Sequence, residues 1–81
     1  MSARKSQPAE PFPFEGMARI FRILADPTRL QLLQAMSLDC KSVSQLVQES
    51  GVPQPLVSRH LRILRDAGLA RSQRRGAYVF Y

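Results

Sequence analysis

Apolar residues recur at helical spacing in four separate stretches of this sequence. The first stretch predicts a helix over Phe14–Leu24, because apolar side chains fall at positions i, i+3, i+6, i+7 and i+10: Phe14, Met17, Ile20, Phe21 and Leu24. Asp26 is a favourable N-cap and Pro27 suits a first helical turn, so a second helix is predicted over residues 28–36. Its inward side chains are expected to be Leu30, Leu32, Leu33 and Met36.

The third helix is short and is marked by its ends. Ser42 and Gln45 have the spacing of a capping box, in which each residue caps the other's backbone N–H. Gly51 favours a helix end, so the helix is predicted over Val43–Ser50. Its inner face is expected to be Val43, Leu46 and Val47.

The fourth stretch predicts a helix with two different faces. Its buried stripe, at i, i+4 and i+7, is expected to be Val57, Leu61 and Leu64, widened by Leu56 and Ile63. Pro55 suits the first turn, and Gly68 suits the position just past the helix end. The polar face carries Ser58, Arg62 and Arg65, with Arg59 beside them.

The order of the elements suggests a function for this polar face. A charged helix face is in most cases simply solvated. Here a short helix and a tight turn precede the basic helix, and a basic hairpin follows it, which is the order of a winged helix-turn-helix. We therefore predict an α+β, mostly α, winged helix-turn-helix over residues 14–81, with the fourth helix in a DNA groove.

The hairpin is predicted from a change of period after Gly68. Residues 69–73 and 77–81 have strand composition, and residues 73–76 are predicted to form the turn, with Gly76 supplying a positive φ. Arg74 and Arg75 then stand together at the hairpin tip. Two adjacent guanidinium groups favour contact with phosphate or the minor groove over a merely solvated tip.

Composition and charge favour a nucleic-acid partner. The 81 residues make one small domain with a net charge of +6, and ten of its twelve basic residues are arginine. The charge is clustered, since residues 59–81 hold six arginines and one acid, Asp66. Solubility alone does not require such clustering, so a polyanionic partner is predicted.

The N-terminal segment, the absence of long apolar runs in the sequence and the single cysteine indicate the cellular compartment. Residues 1–13 contain three prolines and no apolar period, which predicts a disordered tail. The sequence has neither a run of about 18 apolar residues, as a membrane span needs, nor the apolar core of a signal peptide. Its one cysteine, Cys40, cannot form an internal disulfide, which suits a reducing cytoplasm.

Three motifs resemble the ArsR/SmtB family of bacterial transcriptional repressors: LADPTRL at residues 24–30, PQPLVSRHL at 53–61 and LRDAGL at 64–69. The resemblance extends over about residues 14–81. It implies a repressor that binds a near-palindromic operator and leaves it on a signal. It also implies base reading by the helix that begins near Gln54 and backbone contact by the hairpin. The residues then expected at the DNA are Gln54, Pro55, Ser58, Arg59, His60, Arg62, Arg65, Arg74 and Arg75.

The resemblance also implies a dimer. From the residues alone, the large side chains of the first helix pack either on the domain's own core or on a second subunit. With the resemblance, we predict a homodimer held mainly by Phe14, Met17, Ile20, Phe21 and Leu24. Members of the family usually continue into a C-terminal helix that pairs with the first helix across the dimer. The sequence stops at Tyr81, before such a helix, so either it is a piece of a longer protein or this member is expected to dimerise by other means.

The sequence departs from the family at the sensing site. Metal-sensing members carry a Cys-x-Cys pair where this chain has Ser42 and Ser44, and hydroxyls do not replace thiolates for soft metals. No metal site and no cofactor are therefore predicted. Cys40 is expected to be a small buried hydrophobe, with an oxidant-sensing thiol as the alternative. His60 is expected at a polar groove or core edge rather than as a ligand.

Two other classes of function fit the sequence less well. An enzyme is not expected, because the sequence has no Gly-rich phosphate loop, no acid pair placed for a cleft and no nucleophile–base set. The alternative is a winged-helix protein-interaction module without specific DNA binding, since a fold does not fix a function. The salt dependence of binding distinguishes DNA binding from protein interaction, because affinity for DNA falls steeply with ionic strength.

Overall fold

The computed structural model describes residues 13–81, which form four helices and one hairpin. The helices are α1 (Phe14–Leu24), α2 (Pro27–Met36), α3 (Val43–Ser50) and α4 (Gln54–Asp66), and the strands are β1 (Gln73–Arg75) and β2 (Tyr78–Phe80). This is the winged helix-turn-helix predicted from the sequence, with α3 and α4 as the helix pair and the hairpin as the wing. The predicted disordered tail lies outside the described residues, apart from Pro13.

The helix ends lie where local chemistry places them. The Asp26 side chain accepts hydrogen bonds from the N–H groups of Thr28 and Arg29, at 2.9 and 3.1 Å. Ser42 and Gln45 make the reciprocal bonds of a capping box, at 2.8 and 3.1 Å. These groups satisfy backbone donors that a helix start leaves without a partner. The predicted starts of α2 and α3 are thus confirmed to within one residue.

The end of α4 directs the chain into the wing. Gly68 has a φ of 77°, the left-handed conformation that glycine adopts without a steric penalty. Its N–H donates to the carbonyl of Arg65, and the N–H of Leu69 donates to the carbonyl of Leu64 at 2.9 Å. This pair of bonds is the Schellman motif. The predicted role of Gly68 is confirmed.

The core lies between α2, α3 and α4. Its fully buried side chains among residues 13–81 are Leu32, Leu46, Val57, Leu61 and Leu64. The predicted inner stripe of α3 and the Val57, Leu61 and Leu64 stripe of α4 are thus confirmed. The expected widening by Leu56 was wrong, because this side chain is 44% exposed next to Val57, while Ile63 is half-buried. The expectation for Leu30 was wrong, because this side chain is 51% exposed. Residues two apart point about 200° apart around a helix, so α2 cannot turn both Leu30 and Leu32 toward the same partners.

The wing is shorter than predicted, and its turn lies further along the chain. Strands β1 and β2 are antiparallel, and Arg75 is paired with Tyr78, so only Gly76 and Ala77 form the turn. The predicted strand over 69–73 and turn over 73–76 were wrong. Gly76, with a φ of 64°, is the first residue of a two-residue turn, and such a tight turn draws Arg74 and Arg75 into the ladder.

The base of the wing is fixed to the start of α3. Lys41 and Tyr81 exchange two backbone hydrogen bonds, of 2.9 and 2.8 Å, and Phe80 forms a bridge with Ser42. Ser42 is also the N-cap of α3. The position of β2 relative to the helices is therefore set by backbone bonds rather than by side chains alone.

Candidate nucleic-acid interface

The polar face of α4 and one face of the wing enclose a cleft of about 470 Å³. We call it the basic cleft and define it by its polar side chains: Ser44, Gln54, Ser58, Arg62, Arg65, Ser72, Arg74, Tyr78 and Tyr81. The four residues from α4 lie at i, i+4, i+8 and i+11, which is one helical face. Val57, Leu61 and Leu64 occupy the buried side of the same helix, so the core holds α4 with this polar face outward.

The basic cleft concentrates positive charge. Within residues 13–81 no carboxylate lines it, and neither Arg62 nor Arg74 has an ion pair or hydrogen bond there. Arg65 does have a partner, since its Nε and Nη2 atoms donate to Oδ1 of Asp66 at 3.2 and 3.1 Å. Both side chains of that pair are exposed, so the attraction is weakened by water. The cleft thus presents an anion with two unpaired guanidinium groups and a third held only loosely.

The two arginines of the wing lie on different faces. Arg74 lines the basic cleft together with Val79, its partner across the ladder. Arg75 lies on the other face, where its guanidinium carbon is 5.5 Å from the centroid of the Phe80 ring. Its Nη2 atom also donates to Oε1 of Gln73 at 3.2 Å. The structure therefore brings Arg74, and not Arg75, to the residues of α4.

The other residues expected at the DNA lie outside the cleft. Pro55 and Arg59 are exposed on α4. His60 is half-buried, and its Nδ1 atom is buried without a hydrogen-bond partner in the described part of the chain. The hydrogen bond from the Arg29 backbone is the largest cause that lowers the pKa of Asp26. The half-buried position of His60 agrees with the predicted core edge.

The expectation that Cys40 is buried was wrong, because its side chain is exposed. The connector between α2 and α3 turns away from the core, and Leu38 within it is 93% exposed. Cys40 lines a second, open groove with Met36, Phe80 and other residues, away from α4. No cluster of three metal-ligand side chains occurs within residues 13–81.

Helix α1 presents an apolar surface. None of its residues is buried, and Phe14, Met17 and Phe21 are exposed, with Phe21 at 65%. Ile20 and Leu24 are half-buried. Phe14 and Phe21 thus do not pack into the domain's own core, whereas Ile20 and Leu24 are partly covered within the chain. Contiguous exposed apolar patches are rare on soluble monomers and mark interaction surfaces.

Two serines that line the basic cleft were missed by sequence reasoning. Ser44 and Ser72 both contribute to the cleft, the first from the start of α3 and the second from the linker before β1. Ser44 was considered only as a substitute for a metal-binding cysteine. Its position in the first turn of α3, the end of a helix that favours negative charge, is the signal that could have placed it near an anion.

The fold and the basic cleft define this chain as a winged helix-turn-helix domain of the kind found in DNA-binding regulators. The profile described as "Bacterial regulatory protein, arsR family" matches residues 26–72, from the N-cap of α2 to the linker before β1. The chain belongs to the ArsR family of bacterial regulatory proteins, as its sequence motifs predicted.

Individual relatives agree with this assignment. The chain is 43% identical over 65 residues to the HTH-type transcriptional regulator KmtR of Mycobacterium tuberculosis, covering 80% of this chain and 50% of the relative. It is 39% identical over 64 residues to the arsenical resistance operon repressor of Escherichia coli, covering 78% and 55%. The chain thus spans about half the length of both relatives.

A solved structure gives the same picture of the fold. It is a fragment (1–100) of a possible transcriptional regulatory protein from Mycobacterium bovis, with a TM-score of 0.77 and 26% sequence identity. The match covers 84% of this chain and 73% of that one.

No helix within residues 13–81 is both long enough and apolar enough to cross a membrane.

Proposed function

We propose that this chain is the DNA-binding part of a transcriptional repressor, with α4 in the major groove and the wing on the adjoining backbone. The observation that carries the proposal is the basic cleft, in which α4 and the wing present arginines to one shared space. Removing water from an unpaired guanidinium group costs less free energy when a phosphate takes the place of the water than when a neutral group does. Membership of a family of bacterial regulatory proteins supports the same function.

Base reading is proposed for α4. Gln54 and Arg62 lie on the polar face, and their side-chain types make bidentate contacts with adenine and guanine respectively. Ser58, on the same face, and the exposed Pro55 and Arg59 complete the surface proposed to enter the groove. The side chains of α4 that form the core cannot take part, so the polar face alone sets the sequence preference.

A two-fold dimer is proposed on the apolar side of α1. The exposed Phe14, Met17 and Phe21 form the surface that a second copy covers, with Ile20 and Leu24 beside them. A two-fold pair presents two copies of α4 to a near-palindromic operator, with half-sites about 34 Å apart. Binding to the chromosome places the protein in the cytoplasm. Release from the operator by a chemical signal completes the proposed repressor cycle, and no catalytic step is part of it.

Binding titrations at several salt concentrations test the proposed function. The full chain is titrated onto promoter DNA upstream of its own gene and onto random duplex of equal length, with fluorescence anisotropy as the readout. We expect tighter binding to one promoter segment and a linear fall of log affinity with log salt on both DNAs. Equal, salt-insensitive and weak binding to both would contradict the proposal and favour a protein-interaction module.

A further inference from the structure

The wing separates its two adjacent arginines by the alternation of its strand. Side chains at successive strand positions point to opposite faces. Arg74 and its ladder partner Val79 line the basic cleft, while Gln73 and its partner Phe80 line the groove on the other side of the wing. Arg75 shares the face of Gln73 and Phe80, which it contacts. Adjacent residues of the same type therefore have different surroundings.

Arg75 contacts two other side chains of the wing. Its guanidinium group lies over the Phe80 ring at 5.5 Å and donates a hydrogen bond of 3.2 Å to the Gln73 side chain. Phe80 is in turn bridged to Ser42 at the start of α3. Both contacts are exposed and individually weak, so Arg75 is kept from the cleft mainly by its position on the face of β1 opposite to Arg74. These contacts brace the hairpin and link β1 to the part of β2 that is fixed to the helices.

Arg74 is in the opposite situation. It has no ion pair or hydrogen bond within residues 13–81, and it shares the basic cleft with Arg62 and Arg65 of α4. Three guanidinium groups that face one space repel each other, and a single anion between them relieves that repulsion. The Lys41–Tyr81 backbone bonds hold β2 in place, so Arg74 is presented without further ordering of the wing.

We infer that the basic cleft is a clamp for one phosphodiester strand, closed by Arg74 against Arg62 and Arg65, and that Arg75 braces the wing without contacting DNA. The occupant is the sugar–phosphate backbone because three converging cations fit an anion, whereas base edges are neutral. Arg62 can do both, because its guanidinium group has five N–H donors: two can reach a guanine edge while another donates to the clamped phosphate. The inference rests on the proposed function, of which it specifies the wing contact.

The neighbouring residues provide a matched pair of variants. Arg74→Ala and Arg75→Ala each remove one exposed guanidinium group of the wing, so they change the net charge equally. For Arg74→Ala we expect a several-fold loss of affinity on promoter and random DNA alike, and a salt slope reduced by about 0.9, the value for one phosphate contact. For Arg75→Ala we expect affinity within about twofold of the unchanged chain and a lower thermal midpoint, because the brace is lost.

Two further measurements separate a contact from a change of shape. Arg74→Lys keeps the charge and is expected to keep most of the salt slope. On DNA with one neutral methylphosphonate at the clamped position, Arg74→Ala is expected to cause no additional loss. Equal losses for the two alanine variants, or a larger loss for Arg75→Ala, would overturn the clamp and leave the proposed function intact. A chain that binds no DNA at any salt concentration would overturn both.

Discussion

Helices α1 and α4 are both amphipathic, but they use their apolar faces differently. The apolar stripe of α4 is buried against α2 and α3, while α1 has no buried residue and exposes Phe21 and its neighbours. In α4 the core fixes the apolar side, so the polar side is available for a ligand. In α1 the apolar side itself is the available surface. An apolar stripe thus predicts that a helix packs against a partner. The structure shows whether that partner is the chain's own core, as for α4, or has to come from outside the described chain, as for α1.

The largest effect is expected from truncating the buried stripe of α4. Leu61→Ala removes a fully buried side chain at the centre of the core, and such changes cost about 2–5 kcal/mol of unfolding free energy. The matched change on α1 is Met17→Ala, at an exposed position, where we expect about 0.5 kcal/mol or less in the dilute chain. Urea unfolding measures both. Similar losses would mean that α1 is packed as firmly as α4.

A charge on the apolar side of α1 is expected to act on assembly instead of folding. Phe21→Glu places a carboxylate on the proposed dimer surface, so we expect a shift to monomer in sedimentation equilibrium and at least a tenfold loss of operator affinity. Weak, salt-dependent binding to random DNA should remain, because the basic cleft is untouched. Circular dichroism supplies the control. An unfolded Phe21→Glu chain would place Phe21 in the core and contradict the proposed dimer face.

The comparison also shows which features a sequence alone can predict. Asp26, Ser42 and Gly68 act through hydrogen bonds to residues two or three positions away, so the helix ends were predicted almost to the residue. Leu30 and Cys40 were misplaced because their exposure depends on how whole elements pack.

The candidate site also has one part that the sequence predicts and one part that it does not. Ser58, Arg62 and Arg65 share a face by helical periodicity alone, and the structure brings them together in the basic cleft. Gln54 joins them there, whereas Arg59, which was predicted beside them, lies outside the cleft. The difference between Arg74 and Arg75 depends on the hairpin register. A shift of one residue exchanges the two faces of a strand, so the predicted turn over 73–76 could not distinguish these arginines.

Matched arginine substitutions on the polar sides of α4 and α1 test which of the two helices contacts DNA. Arg62→Ala removes a side chain from the basic cleft, and we expect a loss of about 1–3 kcal/mol in operator binding together with a weaker sequence preference. Arg22→Ala removes the same charge from the exposed surface of α1 and should change affinity little. Titrations on operator and random DNA compare the two. Equal losses on both DNAs for Arg62→Ala would restrict Arg62 to the backbone.

The smallest effect is expected at Asp66, which limits the charge of the basic cleft. Its carboxylate accepts two hydrogen bonds from Arg65 and, in an exposed setting, holds that guanidinium group only weakly. Asp66→Asn should free Arg65 for phosphate, so we expect a two- to fivefold gain in affinity, roughly 0.4–1 kcal/mol, and a steeper salt slope. The control is Glu49→Gln, which removes an equal charge from the Lys41–Glu49 pair, outside the cleft. If both variants gain equally, net charge accounts for the effect, and Arg65 is not the residue that Asp66 restrains.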